Sequence, residues 1–437
     1  MNAFGLNRDV LVLALARMAD ALGNSFLIIV LPLYIASGQV TGGAFGLSEA
    51  AITGVVLSMF GLLNSIIQPF TGRLSDRVGK RKVFVLVGLV ILSITNFAFS
   101  LVGGYVSLIV IRAIQGIGVA FTIPATVALV NELATTADRG GNMGAFNTFR
   151  LIGFGIGPLV AGSVVEFGPY DLSLGGLTLG MSGFEAAFYV ATVAAALSIL
   201  LVWVFVSDPP DLQANAGGDL SISVRSAKPG RLLDPIFTLG VGAFFMVIGI
   251  ALLATLQETI NARLDQGATL FSLQFAAFVG AQVLFQTPIG RASDRFGRKP
   301  FVVWGLILFA PLTLVQGLVP LPVVEGVLSG SWQLVLARFL QGVAGAMVLA
   351  PGFALAGDLA GTGESGSKLA VLTMAFGLGT AIGPLSSGFL VAYGFVVPFA
   401  FGAVLALLAA ILVATQVEET VGQASPETGE SVAAGTD

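Results

Sequence analysis

The chain has 437 residues, of which 56% are hydrophobic and only 10% are charged. Soluble domains carry about 25% charged residues, so this composition indicates a protein that lies in a lipid bilayer. The net charge of −4 argues against nucleic-acid binding, which needs a concentrated basic face. Because the chain has no cysteine and no histidine, disulfides and the usual metal sites are excluded, and no cofactor is expected.

Apolar segments long enough to cross a membrane recur along the whole chain. A spanning helix needs about 20 mostly apolar residues. Twelve segments meet that length: 10–35, 50–71, 83–102, 107–131, 142–166, 184–206, 235–257, 269–289, 301–320, 332–356, 368–391 and 395–416. The first lacks a small-residue cleavage site and is expected to be retained. We therefore predict an all-α membrane protein with 12 transmembrane helices.

The positions of Lys and Arg predict how the chain is oriented. Most of the 20 Lys and Arg residues lie at the N-terminus and in the loops that follow the even-numbered spans. Cytoplasmic loops carry an excess of these residues. We expect a multi-pass protein of the plasma membrane with both termini in the cytoplasm.

Composition divides the chain into two halves. Residues 207–234 are rich in Pro, Gly, Ser and Asp and predict a flexible cytoplasmic linker. It separates six spans in residues 1–206 from six spans in residues 235–416. The acidic tail, residues 417–437, is expected to be disordered.

The two halves repeat each other. GRLSDRVGKRK (72–82) matches GRASDRFGRKP (290–300), and the run from Arg112 to Gly116 matches the run from Arg338 to Gly342. Further matches pair Glu132 with Asp358, Gly157-Pro158 with Gly383-Pro384, and Gly162 with Gly388. Duplication of a six-helix unit is typical of transporters whose substrate path lies between the halves. It predicts two pseudo-symmetric six-helix bundles.

The repeated basic segment resembles a known family signature. Its pattern in the first half is Gly72, Asp76, Arg77, Gly79, Lys80, Arg81 and Lys82, and in the second half Gly290, Asp294, Arg295, Gly297, Arg298 and Lys299. It is similar to the motif between helices 2 and 3 of the major facilitator superfamily, and the resemblance covers essentially the whole chain. The resemblance implies a gating loop that latches helix ends on the cytoplasmic side.

The same loop has a physical interpretation. Its glycines permit a tight reversal between helices, and Asp76 is expected to accept hydrogen bonds from a neighbouring helix N-terminus. We expect Arg77 to pair with the cytoplasmic-end carboxylate Glu132. In the second half, Arg295 would pair with Asp358 in the same way. The alternative is that the basic clusters only enforce topology.

Four arginines lie inside predicted spans, and two of them occupy matching positions in the two halves. A charge within a membrane helix costs about 2.5–3.5 kcal/mol on insertion scales and usually marks function. Arg112, with Gln115 and Gly116, resembles the helix-4 motif of proton-coupled exporters in the superfamily, which implies a part in proton transfer. The alternative is that Arg112 snorkels or ties helices together. For Arg338 we favour the structural role.

The first and fifth spans also carry charges. Arg17 and Asp20 are three residues apart and therefore share one helix face. Asp20 is the deepest carboxylate of the first half and the expected proton carrier, unless it forms a static pair with Arg17. Arg150 would meet either Asp20 or an anionic substrate.

Small residues dominate the fifth span. Gly153, Gly157 and Gly162 allow close helix approach, and Pro158 bends the helix. The stretch resembles the helix-5 motif of antiporters in the superfamily, although Ala161 replaces one of the paired glycines. Its match to the eleventh span favours helix packing first and export second.

Together these features predict a secondary transporter that works by alternating access. We expect efflux of an apolar or amphipathic compound coupled to protons. The alternative is import of a small metabolite or organic anion, in which Arg17 or Arg150 would face the cavity. A non-transporting receptor or a membrane enzyme is a remote alternative, because no catalytic set or nucleotide-binding loop is visible. The expected partners are a small-molecule substrate, protons and the lipid bilayer, and the chain is expected to be a monomer.

Overall fold

The computed structural model describes residues 8–43, 45–133, 139–174, 177–209, 223–226, 230–321, 329–359 and 365–421. For residues 139–140, 172–174, 177–179 and 365–370 it describes the backbone alone.

Six long helices form the N-terminal half. They are α1 (Arg8–Ala36), α2 (Glu49–Val78), α3 (Arg81–Ala98), α4 (Tyr105–Leu133), α5 (Arg139–Glu166) and α6 (Gly183–Phe205). A one-turn 3-10 helix extends α3 to Leu101. An antiparallel hairpin of β1 (Tyr170–Leu174) and β2 (Leu177–Met181) connects α5 to α6, and the sequence does not predict these strands.

The C-terminal half repeats this order with one added short helix. Its helices are α7 (Pro235–Thr255), α8 (Gln257–Leu264), α9 (Ala268–Phe296), α10 (Arg298–Leu318), α11 (Gly330–Leu359), α12 (Ser365–Leu390) and α13 (Val397–Gln416). Within the described residues, twelve helices are long and apolar enough to cross a membrane. The predicted twelve-span, all-α membrane fold is therefore confirmed.

Several helices begin at residues that satisfy free backbone N–H groups. Ser182 and Glu185 form a capping box at the start of α6. Asp234 accepts hydrogen bonds from the first N–H groups of α7, and Pro235 follows it at the first helical position. Because the first four N–H groups of a helix have no partner within it, these side chains define where each span begins.

Each half is held together by glycines that face a neighbouring helix. Gly153 and Gly157 of α5 lie against the backbone of α1, and an added Cβ at Gly157 would sit 2.6 Å from the carbonyl oxygen of Leu22. In the second half Gly379 and Gly383 of α12 lie against α7 in the same way. Small residues permit such close contact between membrane helices, where lipid removes the hydrophobic drive to associate.

Two seams join the halves: α2 packs on α12, and α5 packs on α9. We call the membrane side with the α2–α3 and α9–α10 connections the basic end, and the other side the far end. At the far end Gly388 of α12 packs closely on Ala50 of α2. Nearer the middle, Ser58 donates a 2.5 Å hydrogen bond to the carbonyl oxygen of Ala381. These contacts close the far end.

The second seam opens towards the basic end. Gly144, Gly155 and Gly162 point in nearly the same direction from α5, because they are eleven and seven residues apart, about three and two turns. An added Cβ at Gly155 or Gly162 would touch α9, whereas no described atom lies within 4 Å at Gly144. Helices α5 and α9 therefore diverge towards the basic end.

We expect Gly157→Val to destabilise the protein, because its side chain would collide with the backbone of α1. Overpacking of this kind costs roughly 1–3 kcal/mol. Thermal unfolding of the purified protein in detergent, followed by tryptophan fluorescence, measures the loss. Gly141→Ala is the control, because no described atom lies within 4 Å of a Cβ there. Equal Tm values for the two variants would contradict the assignment.

Candidate functional site

The repeated basic segment is mostly helix rather than loop. Helix α2 continues to Val78 and α3 begins at Arg81, so only Gly79 and Lys80 connect them. Gly79 has a φ of 67° and Gly297 a φ of 100°, which L side chains rarely adopt. Gly72 and Gly290 lie within helices and face α4 and α11, so the tight reversal expected of the glycines applies to Gly79 and Gly297 alone.

Arg81 is the centre of an ion cluster at the basic end of the first half. Its Nη1 donates to Asp76 Oδ1 at 2.5 Å and to Ser75 Oγ at 3.1 Å. Its Nη2 donates to Glu132 Oε1 of α4 at 3.0 Å. The guanidinium is buried while both carboxylates are partly exposed. Arg81 thus joins the end of α2, the start of α3 and the end of α4.

Arg298 has the same role in the second half, although the repeat aligns it with Lys80 rather than with Arg81. It pairs with Asp294 of α9 at 2.9 Å and with Asp358 of α11. The expected pairs Arg77–Glu132 and Arg295–Asp358 are therefore wrong. Arg77 and Arg295 are exposed on the ends of α2 and α9. Because α2 and α9 continue as helices through these two arginines, their side chains point outward. The first residue of the next helix, Arg81 or Arg298, reaches α4 or α11 instead.

Asp76 was expected to cap a helix N-terminus, but in the structure the Arg81 side chain binds it. Two other carboxylates cap the third membrane span of each half, which is α3 in the first half and α10 in the second. Asp208, just beyond α6, accepts a 2.8 Å hydrogen bond from the backbone N–H of Lys82. Glu419, just beyond α13, accepts from the backbone N–H groups of Arg298 at 3.1 Å and Lys299 at 2.9 Å. Each cap therefore connects the segment just after the last span of a half to the start of the third span of that half.

Sequence reasoning missed these caps. Asp208 fell in the predicted linker and Glu419 in the predicted tail. A signal was present, since each acidic residue stands at the same short distance past the last helix of its half. Glu418 also forms a 3.1 Å ion pair with Arg231. Residues 417–421 thus make defined contacts, and 422–437 lie outside the described residues.

Glu419 has a pKa below its usual value of about 4.5. Partial burial acts to raise the pKa, but the backbone N–H groups of Val421, Arg298, Lys299 and Thr420 stabilise the carboxylate and outweigh it. The positive end of the α10 dipole acts in the same direction.

The two intramembrane arginines have equivalent surroundings. Arg112 donates to Gln115 at 3.0 Å and its guanidinium lies 4.7 Å from the ring centre of Phe60. Arg338 donates to Gln341 at 2.7 Å and lies 4.7 Å from the ring of Phe278. Both side chains are buried. Gln115 Nε2 in turn donates a hydrogen bond to Asn96 Oδ1 at 2.6 Å, and Gln341 Nε2 donates one to Thr313 Oγ1 at 2.9 Å. The structure therefore gives no basis for assigning the two arginines different roles.

Arg17 and Asp20 form the expected pair on α1. Asp20 is buried, binds Arg17, and accepts a 2.9 Å hydrogen bond from Asn24. The pair borders a cavity of about 10 Å³, also lined by Thr122 and Thr126 of α4, which is large enough for about one water molecule. Arg150 does not reach Asp20: its Nε and Nη2 both donate to Asn147 of the same helix, at 3.1 and 2.9 Å.

The glycines of the helix-5 motif pack against two different helices. Gly153 and Gly157 pack within the first half, whereas Gly162 packs on Ala268 and Ser272 of α9 in the other half. Pro158 is buried within α5, which continues through it to Glu166. Glu166 ends α5 at the far end and accepts a 2.7 Å hydrogen bond from the backbone N–H of Thr269, near the start of α9. The motif therefore serves helix packing, as expected, and also the contact between the halves.

The sequence model of the Major Facilitator Superfamily matches residues 13–261 and 237–434. This chain belongs to the Major Facilitator Superfamily. The resemblance carried by the repeated basic segment is thereby confirmed. The family assignment agrees with the expectation of a multi-pass transporter rather than an enzyme.

Curated relatives within the Major Facilitator Superfamily are drug resistance proteins. The chain is 26% identical over 204 residues to the quinolone resistance protein NorA of Staphylococcus aureus, a match covering 47% of this chain and 46% of NorA. The matched region thus spans about half the length of that relative. It is also 26% identical over 320 residues to multidrug resistance protein 2 of Bacillus subtilis (strain 168), covering 71% of this chain and 73% of that protein.

Solved Major Facilitator structures share the fold. The inward-open xylose transporter XylE of E. coli has a TM-score of 0.72 and 17% identity, and the match covers 95% of this chain and 98% of XylE. The human organic anion transporter MFSD10 has a TM-score of 0.66 and 20% identity, with coverage of 93% and 99%. At these identities the likeness concerns the fold alone.

Arg81→Gln should weaken the basic end of the first half, because Asp76 and Glu132 lose their shared cation. The loss is on the order of 2 kcal/mol, typical of hydrogen bonds to charged groups. Thermal unfolding measures it. Arg77→Gln removes the same charge from an exposed position and should leave Tm nearly unchanged. If both variants lost Tm by the same amount, the stabilisation would come from the net charge of the basic end and not from the contacts of Arg81.

Glu419→Gln should loosen the start of α10 at neutral pH. Because the pKa of Glu419 is lowered, its contribution is complete above the usual carboxyl pKa and is lost as the pH falls through the lowered value. Hydrogen exchange of the Arg298 and Lys299 amides should therefore be faster in the variant at pH 7, with the difference shrinking as pH falls through 4.5. Glu418→Gln is the control. A difference independent of pH would exclude the cap as its cause.

Proposed function

We propose that this chain is a secondary transporter that exports an amphipathic small molecule in exchange for protons by alternating access. The observation that carries the proposal is the uneven contact between the halves. They pack tightly at the far end, through Gly388 against Ala50 and Gly162 against Ala268, while α5 and α9 diverge at Gly144. A closed far end and an open basic end are the features of one state of such a cycle.

The far-end contacts have the chemistry of a reversible closure. The bond from Ser58 to Ala381 and the bond from Thr269 to Glu166 join groups that water can satisfy once the halves separate. No ion pair crosses between the halves among the described residues. Opening therefore separates no ion pair among the described residues.

The basic end carries the positive residues that orient membrane proteins towards the cytoplasm. On that orientation the structure corresponds to an inward-facing state, ready to take a compound from the cytoplasm. The resemblance to two drug resistance proteins supports export as the direction.

Asp20 is our candidate for the proton carrier. Its carboxylate is enclosed by Arg17 and Asn24 beside a cavity that holds about one water molecule. Protonation would cancel the attraction to Arg17 and release that guanidinium. Arg17 lies eleven residues, about three turns, before Ile28, which packs against a core cluster of the other half. A freed Arg17 would thus act on the face of α1 that meets the second bundle.

A second candidate is uptake of an organic anion on the same fold. Arg150 favours it, because in the described part of the chain no carboxylate pairs with this arginine. The two candidates share the alternating-access mechanism and differ in the direction of transport.

Flux into proteoliposomes under an imposed pH gradient tests the proposal. Wild type should move an amphipathic compound such as 1-naphthalenesulfonate in the direction opposite to proton flow. Asp20→Asn should abolish the response to the gradient while leaving exchange of the compound down its own gradient, because the carboxylate no longer titrates. Glu258→Gln, which alters an exposed carboxylate of α8, is the control.

Two outcomes would count against this assignment. A broad panel of compounds without flux in wild type would remove the transporter proposal itself. Gradient-driven flux that survives in Asp20→Asn at the wild-type rate would remove Asp20 from the coupling step while leaving transport in place.

A further inference from the structure

Resting on the proposed transport function, we infer that Arg150 binds an anionic group of the transported molecule, so that the substrates of this chain are amphipathic anions. The inference rests on the direction in which Arg150 points, on its surplus charge, and on the apolar wall beside it.

Arg150 points into the space between the halves. Gly153 and Gly157 define the face of α5 that packs on α1, while Phe154 and Gly155 define the face that meets α9. Arg150 precedes Gly153 by three residues and Phe154 by four. Its side chain therefore points between the face of α5 that packs on α1 and the face that meets α9. The lipid side is opposite, where Ile156 is 45% exposed. We therefore infer that the exposed part of the Arg150 side chain faces the space between the halves.

The local charge is unbalanced. Arg17 and Arg150 lie on packed helices, each within three residues of the contact between Met18 and Gly153. Asp20 neutralises Arg17, and no described carboxylate pairs with Arg150. Two guanidinium groups and one carboxylate leave one surplus positive charge at this depth. An unpaired charge in a membrane interior is costly, so an anion that reaches this site is attracted to it.

The Arg150 side chain is fixed in position but retains a free donor group. Asn147 Oδ1 accepts from both Nε and Nη2, which fixes the guanidinium relative to α5. No described residue accepts a hydrogen bond from Nη1. A planar guanidinium with free N–H groups is the side chain best suited to bind a carboxylate, sulfonate or phosphate.

Arg112 and Arg338 are unsuited to this role. Arg338 is fully enclosed and Arg112 is only 3% exposed. Each guanidinium faces a phenylalanine ring and a glutamine within its own half. A substrate in the path could reach them only after rearrangement of the helices, whereas Arg150 already borders the path.

The neighbouring wall suits an apolar body. Phe154, one turn from Arg150 towards the far end, lies 5.6 Å from Phe275 of α9, measured between ring centres. Leu151, next to Arg150, belongs to a core cluster made mostly of second-half residues. A molecule with its anionic group at Arg150 would place an aromatic or aliphatic body against these side chains.

A matched pair of probes tests the inference. 1-Naphthoate and 1-naphthamide have the same ring system and differ in charge. Isothermal titration calorimetry with the full chain in nanodiscs should give at least tenfold tighter binding of naphthoate to wild type. Arg150→Gln should reduce naphthoate affinity about tenfold or more and leave naphthamide unchanged, and Arg150→Lys should retain part of the affinity.

Arg225→Gln is the matched control, because it removes one positive charge from an exposed position in the linker. Thermal unfolding of each variant without a probe verifies that it is folded. Equal affinity of wild type for the two probes, no binding of naphthoate, or equal naphthoate affinity in Arg150→Gln and Arg225→Gln would each overturn the inference. Flux of naphthamide without flux of naphthoate would overturn it while leaving the transporter proposal intact.

Discussion

Close approach of helix backbones at small residues is the constraint on which this structure depends. In a bilayer the lipid is as apolar as the side chains, so helices associate through packing and hydrogen bonds rather than through the hydrophobic effect. Gly153 and Gly157 bring α5 onto α1 within one half, and Gly162 brings the same helix onto α9 of the other half. One helix therefore takes part in the packing within a half and in the contact between the halves that opens in the proposed cycle.

Charged residues are distributed according to what each interface has to do. At the basic end, Arg81 and Arg298 hold three helix ends together within each half, where the arrangement can remain fixed through a transport cycle. Asp208 and Glu419 add a link from the last helix of each half to its third. Each half is thus tied as a unit, which favours movement of one bundle against the other rather than deformation within a bundle.

The intramembrane charges that we assign to substrate and proton come from the first half, and the apolar side chains that face α5 come from the second. Arg17, Asp20 and Arg150 come from α1 and α5, whereas Phe275 and Val279 come from α9. The duplicated sequence gives both halves an enclosed arginine, but the pair on α1 and the arginine on α5 have no counterpart in the second half. The repeated sequence supplies the framework of both halves, whereas the charges we assign to substrate and proton occur in the first half alone.

The sequence determined the twelve spans, the two repeated halves and the family, because apolar length and repeated motifs are local properties of the chain. It also identified Arg81 and Arg298, but assigned the pairing to Arg77 and Arg295. Which arginine forms the pair depends on how far α2 and α9 continue beyond the apolar part of each span. The apolar length of a span does not give that distance. Asp208, Glu419 and the direction of Arg150 were decided by tertiary structure alone, because each depends on which helix lies beside it. Packing between distant helices, rather than local pattern, places these side chains.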